Sequence, residues 1–134
     1  MIAVVDASAA VRLLLAPSEN PILRGLLVDA DLVLAPELYA AETANALWKY
    51  VRAGVLTRTE APRLLDACLE LPDEYAGLAE SAVASFDLAC QHGSTVYDML
   101  YLVLAQKRGA ALITADRRLA HLARALGVSV PAVA

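Results

Sequence analysis

Residues that build disulfide frameworks or zinc sites are scarce in this sequence. It contains two cysteines and two histidines, with neither a C-x-x-C pair nor the spacing of a Cys/His metal site. We expect Cys68 and Cys90 to be buried, reduced thiols, as in proteins of the cytosol. We interpret His92 and His121 as ordinary polar residues. These shortages argue against a disulfide-stapled domain and a zinc-binding module.

Long apolar runs and an excess of basic charge are also missing. No uninterrupted apolar stretch reaches the roughly 18 residues that a membrane-spanning helix requires. The first residues lack the basic region and cleavage pattern of a signal peptide, so we expect a cytoplasmic protein. Eleven Lys and Arg against fifteen Asp and Glu give a net charge of −4, which argues against a general nucleic-acid coating protein. A nuclease remains open, because metal ions offset the charge of a carboxylate site locally.

Three common motifs of nucleotide and hydrolase chemistry are absent as well. The sequence has no P-loop, no G-x-G-x-x-G and no G-x-S-x-G. Apolar residues, in contrast, make up 59% of its 134 residues, which is more than a soluble domain usually contains. This length predicts a single domain over residues 1–134 with a core that needs no covalent staples. We expect the surplus apolar surface to serve an oligomer or partner interface.

Short apolar runs alternate with helical patterns along the chain. Strands are predicted at residues 2–5, 31–34, 111–114 and 128–130, with a further short strand near Tyr75. Helices are predicted at residues 8–15, 20–28, 37–52, 57–71, 78–91, 95–108 and 116–126, the fourth opened by a capping box of Thr57 and Glu60. Because the strands are apolar on both faces, the pattern predicts an α/β fold whose parallel sheet is covered on both sides.

Four carboxylates stand alone among apolar or small residues on separate elements: Asp6, Glu42, Asp98 and Asp116. A carboxylate in such surroundings is costly to bury unless it is paired or bound to a metal. Asp6 and Asp116 fall at or just past the ends of predicted strands, where parallel sheets bind their ligands. We therefore predict one shared site for a hard divalent cation.

Each acid also has an ordinary explanation. Helix capping accounts for Asp6 and Asp116 taken singly, the spacing of a capping-box variant with Thr95 accounts for Asp98, and a solvated helix position accounts for Glu42. The helix that follows Asp98 is apolar nearly all round, so we expect this carboxylate to face a semi-enclosed pocket. Ser8 is interpreted either as a cap or as a hydrogen-bond partner of the site.

Several neighbouring residues keep two interpretations open. A stripe along one helix face fits a solvated surface as well as a site with an orienting amide and phosphate-facing bases; it consists of Glu42, Asn45, Lys49 and Arg52. Arg117 and Arg118 are either solvated or hold a phosphate near the site. We expect Trp48 to pack in the core or at an interface.

Four short motifs, in this order, resemble those of the PIN-domain family and most closely its VapC toxins. They are Val5-Asp6-Ala7-Ser8-Ala9, Glu42-Thr43-Ala44-Asn45-Ala46-Leu47, Thr95-Val96-Tyr97-Asp98 and Thr114-Ala115-Asp116-Arg117-Arg118-Leu119. The likeness covers residues 2–130. It implies a three-layer α/β/α sandwich around a parallel sheet of four or five strands. It also implies a Mg²⁺- or Mn²⁺-dependent ribonuclease, commonly a homodimer, that is silenced by a small VapB-like antitoxin.

The resemblance also implies roles for individual residues. Asp6, Glu42, Asp98 and Asp116 match the acidic quartet of the family. Ser8, Asn45 and Thr114 match accessory positions, whereas Arg117 and Arg118 stand where some members carry a further carboxylate. The region at residues 37–71 corresponds to the dimer and antitoxin surface.

The chemistry of an all-oxygen ligand set favours Mg²⁺ or Mn²⁺ over Zn²⁺. Asp6 and Asp98 are our first choice for direct ligation, with Glu42 and Asp116 acting directly or through water. Two rival functions are a phosphatase of the haloacid-dehalogenase type and a PIN-fold interaction module with weak or lost catalysis. The phosphatase needs a D-x-D motif, and Asp6-Ala7-Ser8 lacks the second Asp.

Overall fold

One parallel sheet forms the centre of the computed structural model, which describes residues 1–134. Its strands are β1 (Ile2–Val5), β2 (Leu32–Pro36), β3 (Glu74–Ala76) and β4 (Ala111–Ile113), in the order β3-β2-β1-β4. In the central strand, Ala3 pairs with Val33 on one side and Ala111 on the other. The parallel sheet and the short strand near Tyr75 are thus confirmed.

Seven helices flank this sheet and complete the α/β/α sandwich that the sequence predicted. They are α1 (Ala7–Leu15), α2 (Pro21–Asp29), α3 (Leu38–Arg52), α4 (Ala61–Glu70), α5 (Ala82–His92), α6 (Val96–Arg108) and α7 (Arg117–Ala125). Helices α1, α3 and α4 pack against one another, while α6 packs on β1, β2 and β4. None of the helices combines the length and apolar character needed to span a bilayer.

Helix α6 is the central helix of the core. Every residue from 99 to 105 is buried, as expected for a helix that is apolar nearly all round. In crossover connections the helices run antiparallel to the strands, so the first turns of α3 and α6 lie beside the carboxyl ends of the strands. The fold therefore brings Glu42 and Asp98 to the edge where Asp6 and Asp116 end their strands.

Two predicted elements differ from the structure: one strand is absent and one helix begins later than predicted. The expected strand at residues 128–130 does not form: Ser129 O accepts one hydrogen bond of 2.8 Å from Leu112 N, and Pro131 then has no N–H to continue a ladder. Thr57 and Glu60 do bond to each other, with Glu60 N donating to Thr57 Oγ1 at 3.0 Å. Helix α4 nevertheless begins only at Ala61, because Pro62 cannot donate the next helical hydrogen bond.

Three further expectations need revision. The predicted helix over residues 78–91 begins at Ala82, since residues 79–81 form a separate 3-10 turn. Cys68 is buried, and burial raises the pKa of its thiol to about 11, but Cys90 is exposed and the prediction for it was wrong. Trp48 is 53% exposed with the Arg52 guanidinium 5.4 Å from its ring centroid, which excludes the core interpretation.

Candidate functional site

Asp6 is the most buried carboxylate of the candidate site. It follows β1 and caps α1, since its Oδ1 accepts a hydrogen bond of 2.9 Å from Ala9 N. The same oxygen accepts a hydrogen bond of 2.7 Å from Ser8 Oγ, and Oδ2 accepts one from Thr114 Oγ1. Only 5% of Asp6 is exposed to solvent. The capping interpretation of Asp6 is confirmed, and both oxygens are held in fixed directions.

Thr114 ties the loop after β4 to the loop after β1. Its Oγ1 donates to Asp6 and accepts a hydrogen bond of 3.0 Å from Asp116 N. Ser8 makes a second link, because its Oγ accepts a hydrogen bond of 3.0 Å from Ala115 N. Two accessory residues named from the sequence, Ser8 and Thr114, therefore lie directly against Asp6.

Asp116 is exposed and caps α7. Its Oδ1 accepts hydrogen bonds from Arg118 N at 2.9 Å and Leu119 N at 3.1 Å. This cap leaves Oδ2 without a protein partner. The capping interpretation of Asp116 is confirmed, and one carboxylate oxygen stays available to a ligand.

Glu42 is held by a residue that the sequence analysis did not single out. Tyr101 lies on α6 and is 2% exposed, and its hydroxyl donates a hydrogen bond of 2.6 Å to Glu42 Oε1. A signal for Tyr101 exists in the sequence, since it lies three residues after Asp98 and so shares a face of the helix with it. Asn45 lies one turn after Glu42 and is exposed.

Asp98 occupies the first turn of α6. Its backbone N donates to Thr95 Oγ1 at 3.1 Å, so Thr95 caps the helix with the spacing that the capping-box interpretation predicted. Burial raises the pKa of Asp98, and the Asp116 charge adds to this, while Thr95 and the Arg118 charge act in the opposite direction. The half-buried side chain lines a pocket together with Asp116, as expected for a semi-enclosed position.

Electrostatic repulsion acts between pairs of the four carboxylates: between Asp6 and Asp116, between Asp116 and Asp98, and between Asp98 and Glu42. Burial raises the pKa of Asp6 from 3.8 to about 6; hydrogen bonds from Thr114, Ala9 and Ser8 lower it, and the Asp116 charge raises it further. Burial also raises the pKa of Glu42, where the Asp98 charge adds to the effect. No cationic side chain forms an ion pair with any of them, because the ion pairs of the chain are Met1–Asp31 and Arg108–Glu74.

Two cavities are lined by members of this set of acids. A groove of about 920 Å³ between α1 and α3 includes Ser8, Glu42 and Asn45, with Arg12 and Lys49 further along it. A second pocket of about 470 Å³, between the end of α5 and the starts of α6 and α7, includes Asp98 and Asp116. The groove therefore contains one of the four acids, and the second pocket contains two. Arg52, the last member of the predicted stripe, lines neither cavity.

Comparison with known proteins identifies the fold. Residues 3–125 match the PIN domain family. The chain belongs to this family. This PIN domain is 38% identical over 123 residues to Ribonuclease VapC3 of Pyrobaculum aerophilum, an alignment that covers 88% of the chain and 92% of that relative. It is 32% identical over 118 residues to Ribonuclease VapC3 of Mycobacterium tuberculosis, covering 88% of the chain and 85% of that relative.

A solved structure supports the same assignment. The crystal structure of PAE2754 from Pyrobaculum aerophilum matches this PIN domain with a TM-score of 0.73 and 28% sequence identity, over 97% of this chain and 83% of that chain. The resemblance to VapC-type PIN domains that the motifs indicated is confirmed.

The donor chemistry of this PIN domain fits a hard divalent cation. All four candidate ligands are oxygens and none of them forms an ion pair, while the two histidines line the pocket of Asp98 and Asp116 but not the groove of Glu42. No three acidic, His or Cys side chains converge closely enough to hold one ion together. Mutual repulsion gives a physical reason for this spacing when nothing neutralises the acids. The shared ligand set therefore stays a prediction.

Proposed function

We propose that this PIN domain is a VapC-like endoribonuclease toxin that hydrolyses RNA phosphodiester bonds with Mg²⁺ or Mn²⁺. The observation that carries the proposal is the position of four carboxylates without an ion-pair partner at strand ends and early helix turns on the carboxyl side of the sheet: Asp6, Glu42, Asp98 and Asp116. The identity of 38% to Ribonuclease VapC3 over most of both chains supports RNA as the substrate. We place the reaction in the cytoplasm.

The position of each residue in the site suggests a role in cation binding, in orienting the acids or in orienting the RNA. Asp6 and Asp98 would hold the cation directly, and Glu42 and Asp116 directly or through water. A bound divalent cation lowers the pKa of water and stabilises charge on the phosphate and leaving oxygen. Ser8 and Thr114 fix the orientation of Asp6, and Tyr101 fixes that of Glu42. Asn45 lines the groove beside Glu42, where it can orient the RNA.

The groove between α1 and α3 fits a small VapB-like antitoxin. Nine of its fifteen lining residues are hydrophobic, which suits the apolar face of a helical segment. Its inner end carries Glu42, so a basic side chain of the partner, best an Arg, would pair with the site carboxylates and exclude the cation. The antitoxin would then block both the cation and the RNA.

A homodimer through the helices at residues 37–71 completes the proposal. Trp48 and Val55 are 53% and 63% exposed in this region, and apolar side chains at that level of exposure favour contact with a partner. A second copy of the chain is the simplest partner because closed symmetric dimers are the commonest oligomers.

The decisive experiment is an RNA cleavage assay with and without chelator. We expect cleavage in Mg²⁺ or Mn²⁺ and none in excess EDTA. Cleavage that persists undiminished in EDTA would exclude the cation mechanism. The runner-up function, a PIN-fold interaction module with weak or lost nuclease activity, is favoured by the absence of three converging ligands. Failure to cleave any RNA at saturating Mg²⁺ and Mn²⁺ would establish it over the nuclease.

A further inference from the structure

The pocket on the Asp98 and Asp116 side of the site has an unusual lining. One of its ten lining residues is hydrophobic, and apart from the two acids its ionisable groups are two arginines and two histidines. We call it the basic pocket and define it by His92, Ser94, Arg117, Arg118 and His121. It shares its wall with two carboxylates of the proposed nuclease site.

The arginines of the basic pocket are free to bind a ligand. Neither Arg117 nor Arg118 forms an ion pair or a side-chain hydrogen bond, although Arg118 lies close enough to Asp98 to lower the pKa of that carboxyl. Both are exposed, whereas the Lys107 ammonium is committed to Glu80 O at 2.9 Å and Ser81 Oγ at 3.1 Å. The basic pocket thus holds unpaired positive charge next to the acids.

The placement of these arginines also opposes stability. They occupy the first turn of α7, where the helix dipole disfavours cations, and they are adjacent in sequence. Asp116 caps the amides of Arg118 and Leu119 but forms no ion pair with either arginine. The last turn of the same helix carries Arg124, which is favourable and bonds to Val130 O. An anion bound in the basic pocket would offset the unfavourable placement of Arg117 and Arg118.

We propose that the basic pocket binds a phosphate of single-stranded RNA next to the bond that is cut. The inference rests on the proposed nuclease function and assigns one side of the substrate path. Arg117 and Arg118 supply charge and forked donors for phosphate oxygens. Ser94 and the two imidazoles supply hydrogen bonds to the same phosphate or its ribose. The strand would continue past the four acids into the groove that contains Arg12 and Lys49.

The test compares two double variants with equal changes in charge. Arg117→Gln with Arg118→Gln empties the basic pocket of arginine. Arg24→Gln with Arg108→Gln removes two arginines elsewhere, on α2 and at the far end of α6. Binding of a fluorescein-labelled single-stranded RNA of about 12 nucleotides is followed by anisotropy in EDTA, between about 50 and 200 mM KCl. Cleavage of the same RNA is then measured in Mg²⁺.

We expect the first variant to bind RNA about tenfold more weakly at about 150 mM KCl and to lower the salt slope of log K by about 1. KM should rise by a similar factor while kcat stays within about twofold. The half-saturating Mg²⁺ concentration should stay constant or fall, because removing the cation near Asp98 favours metal binding. The Arg24 and Arg108 variant should follow the wild type.

Three results would overturn the proposal: wild-type affinity and slope in the first variant, an equal loss in the second, or a rise in Mg²⁺ requirement that accounts for the rise in KM. Failure of the nuclease function gives a different result. If the protein never cleaves RNA but binds it with a salt slope that depends on Arg117 and Arg118, the proposed nuclease function is refuted. RNA binding in the basic pocket is then still supported.

Discussion

The Tyr101 hydroxyl and the Glu42 carboxylate are joined by a 2.6 Å hydrogen bond across 59 positions of sequence. Burial and the neighbouring Glu42 charge raise the pKa of Tyr101 well above its ordinary value, so the hydroxyl remains a donor at any physiological pH. Since Tyr101 and Asp98 share α6, this bond fixes Glu42 relative to a second acid of the site.

Replacing Tyr101 by Phe should keep the fold and impair the site. The ring continues to fill the core, while Glu42 loses its only hydrogen-bond donor and can rotate. We expect a 10- to 100-fold rise in half-saturating Mg²⁺ or an equal loss of activity, as is typical when a carboxylate loses its supporting partner. Metal titration by calorimetry would measure the first effect independently of cleavage.

Tyr39→Phe is the matched control for that variant. Tyr39 is fully buried like Tyr101, but its hydroxyl donates to Cys68 O at 2.6 Å and makes no hydrogen bond to a carboxylate of the site. The Tyr39→Phe variant should lose about 1–3 kcal/mol of unfolding free energy without a change in the half-saturating Mg²⁺ concentration. Similar metal affinities in the two Phe variants would contradict a positioning role for Tyr101.

Asp6→Asn and Asp98→Asn should each abolish cleavage while the circular dichroism spectrum stays native. Asp98→Asn should also raise the metal-free melting temperature by about 2–5 °C, because it removes one charge from a repulsive series that includes Asp116 and Glu42. Asp87→Asn, at an exposed position on α5, is the charge-matched control. Wild-type cleavage by both site variants would refute the assignment.

The metal-free protein should lose stability as the pH rises from about 4 to about 7. Burial raises the folded-state pKa of Asp6 from 3.8 to about 6, so the folded protein binds the proton more tightly than the unfolded chain. The resulting stabilisation is complete below pH 3.8 and is lost as the pH rises through about 6. A shift of about two pKa units corresponds to about 3 kcal/mol.

Urea denaturation in EDTA at several pH values would measure this loss. Asp6→Asn should reduce the pH dependence between about 4 and 7, leaving the smaller part due to Glu42 and Asp98, and saturating Mg²⁺ should reduce it in the wild type. A wild-type pH dependence retained in Asp6→Asn would show that another group is responsible.

Trp48→Glu should convert the proposed homodimer to a monomer. The substitution replaces an exposed apolar side chain within residues 37–71 by a charged one, and this charge would have to be desolvated on association. Phe86→Glu on α5 is the control, because Phe86 is similarly exposed at 58% but lies outside residues 37–71. Light scattering of the wild type and the two variants would give their molar masses and so distinguish a dimer from a monomer. A wild-type monomer at about 50 μM, or dissociation by Phe86→Glu alone, would count against this interface.

Co-expression with the product of a neighbouring small gene should yield an inactive complex. Because none of the four acids forms an ion pair within the chain, at least one Arg of the antitoxin should pair with them, and its replacement by Ala should restore cleavage. If every Arg variant still inhibits fully, the antitoxin acts without reaching the carboxylates.

The parts of the fold that follow from local patterns were predictable from the sequence. Strands β1, β2 and β4 are short apolar runs, and α6 is apolar nearly all round with Thr95 before it and Gly109 after it. The missing strand at residues 128–130 depends on whether a neighbour offers more than one hydrogen bond, which is a tertiary property. The exposure of Cys90 likewise depends on which face of α5 meets α6.

The sequence predicted which strands and helices carry the residues of the candidate site. It did not predict which side chains contact one another there. Residues that end strands or begin helices point to the carboxyl edge of a parallel sheet, which places Asp6 and Asp116 near each other. The bond between Tyr101 and Glu42 joins two helices that are distant in sequence, and no periodicity within either helix specifies it. Tertiary packing alone determines that contact.

The hydrogen bonds that orient the acids also restrict how each could coordinate an ion. Oδ1 of Asp6 accepts hydrogen bonds from Ala9 N and Ser8 Oγ, and Oδ1 of Asp116 accepts them from Arg118 N and Leu119 N. Because a carboxylate oxygen has two lone pairs, bidentate ligation by Asp6 or Asp116 would break an existing hydrogen bond. Ca²⁺ favours six to eight oxygens and often a bidentate carboxylate, whereas Mg²⁺ accepts single oxygens and keeps several waters. This arrangement disfavours Ca²⁺, so millimolar calcium should compete poorly for the site even though it carries the same charge.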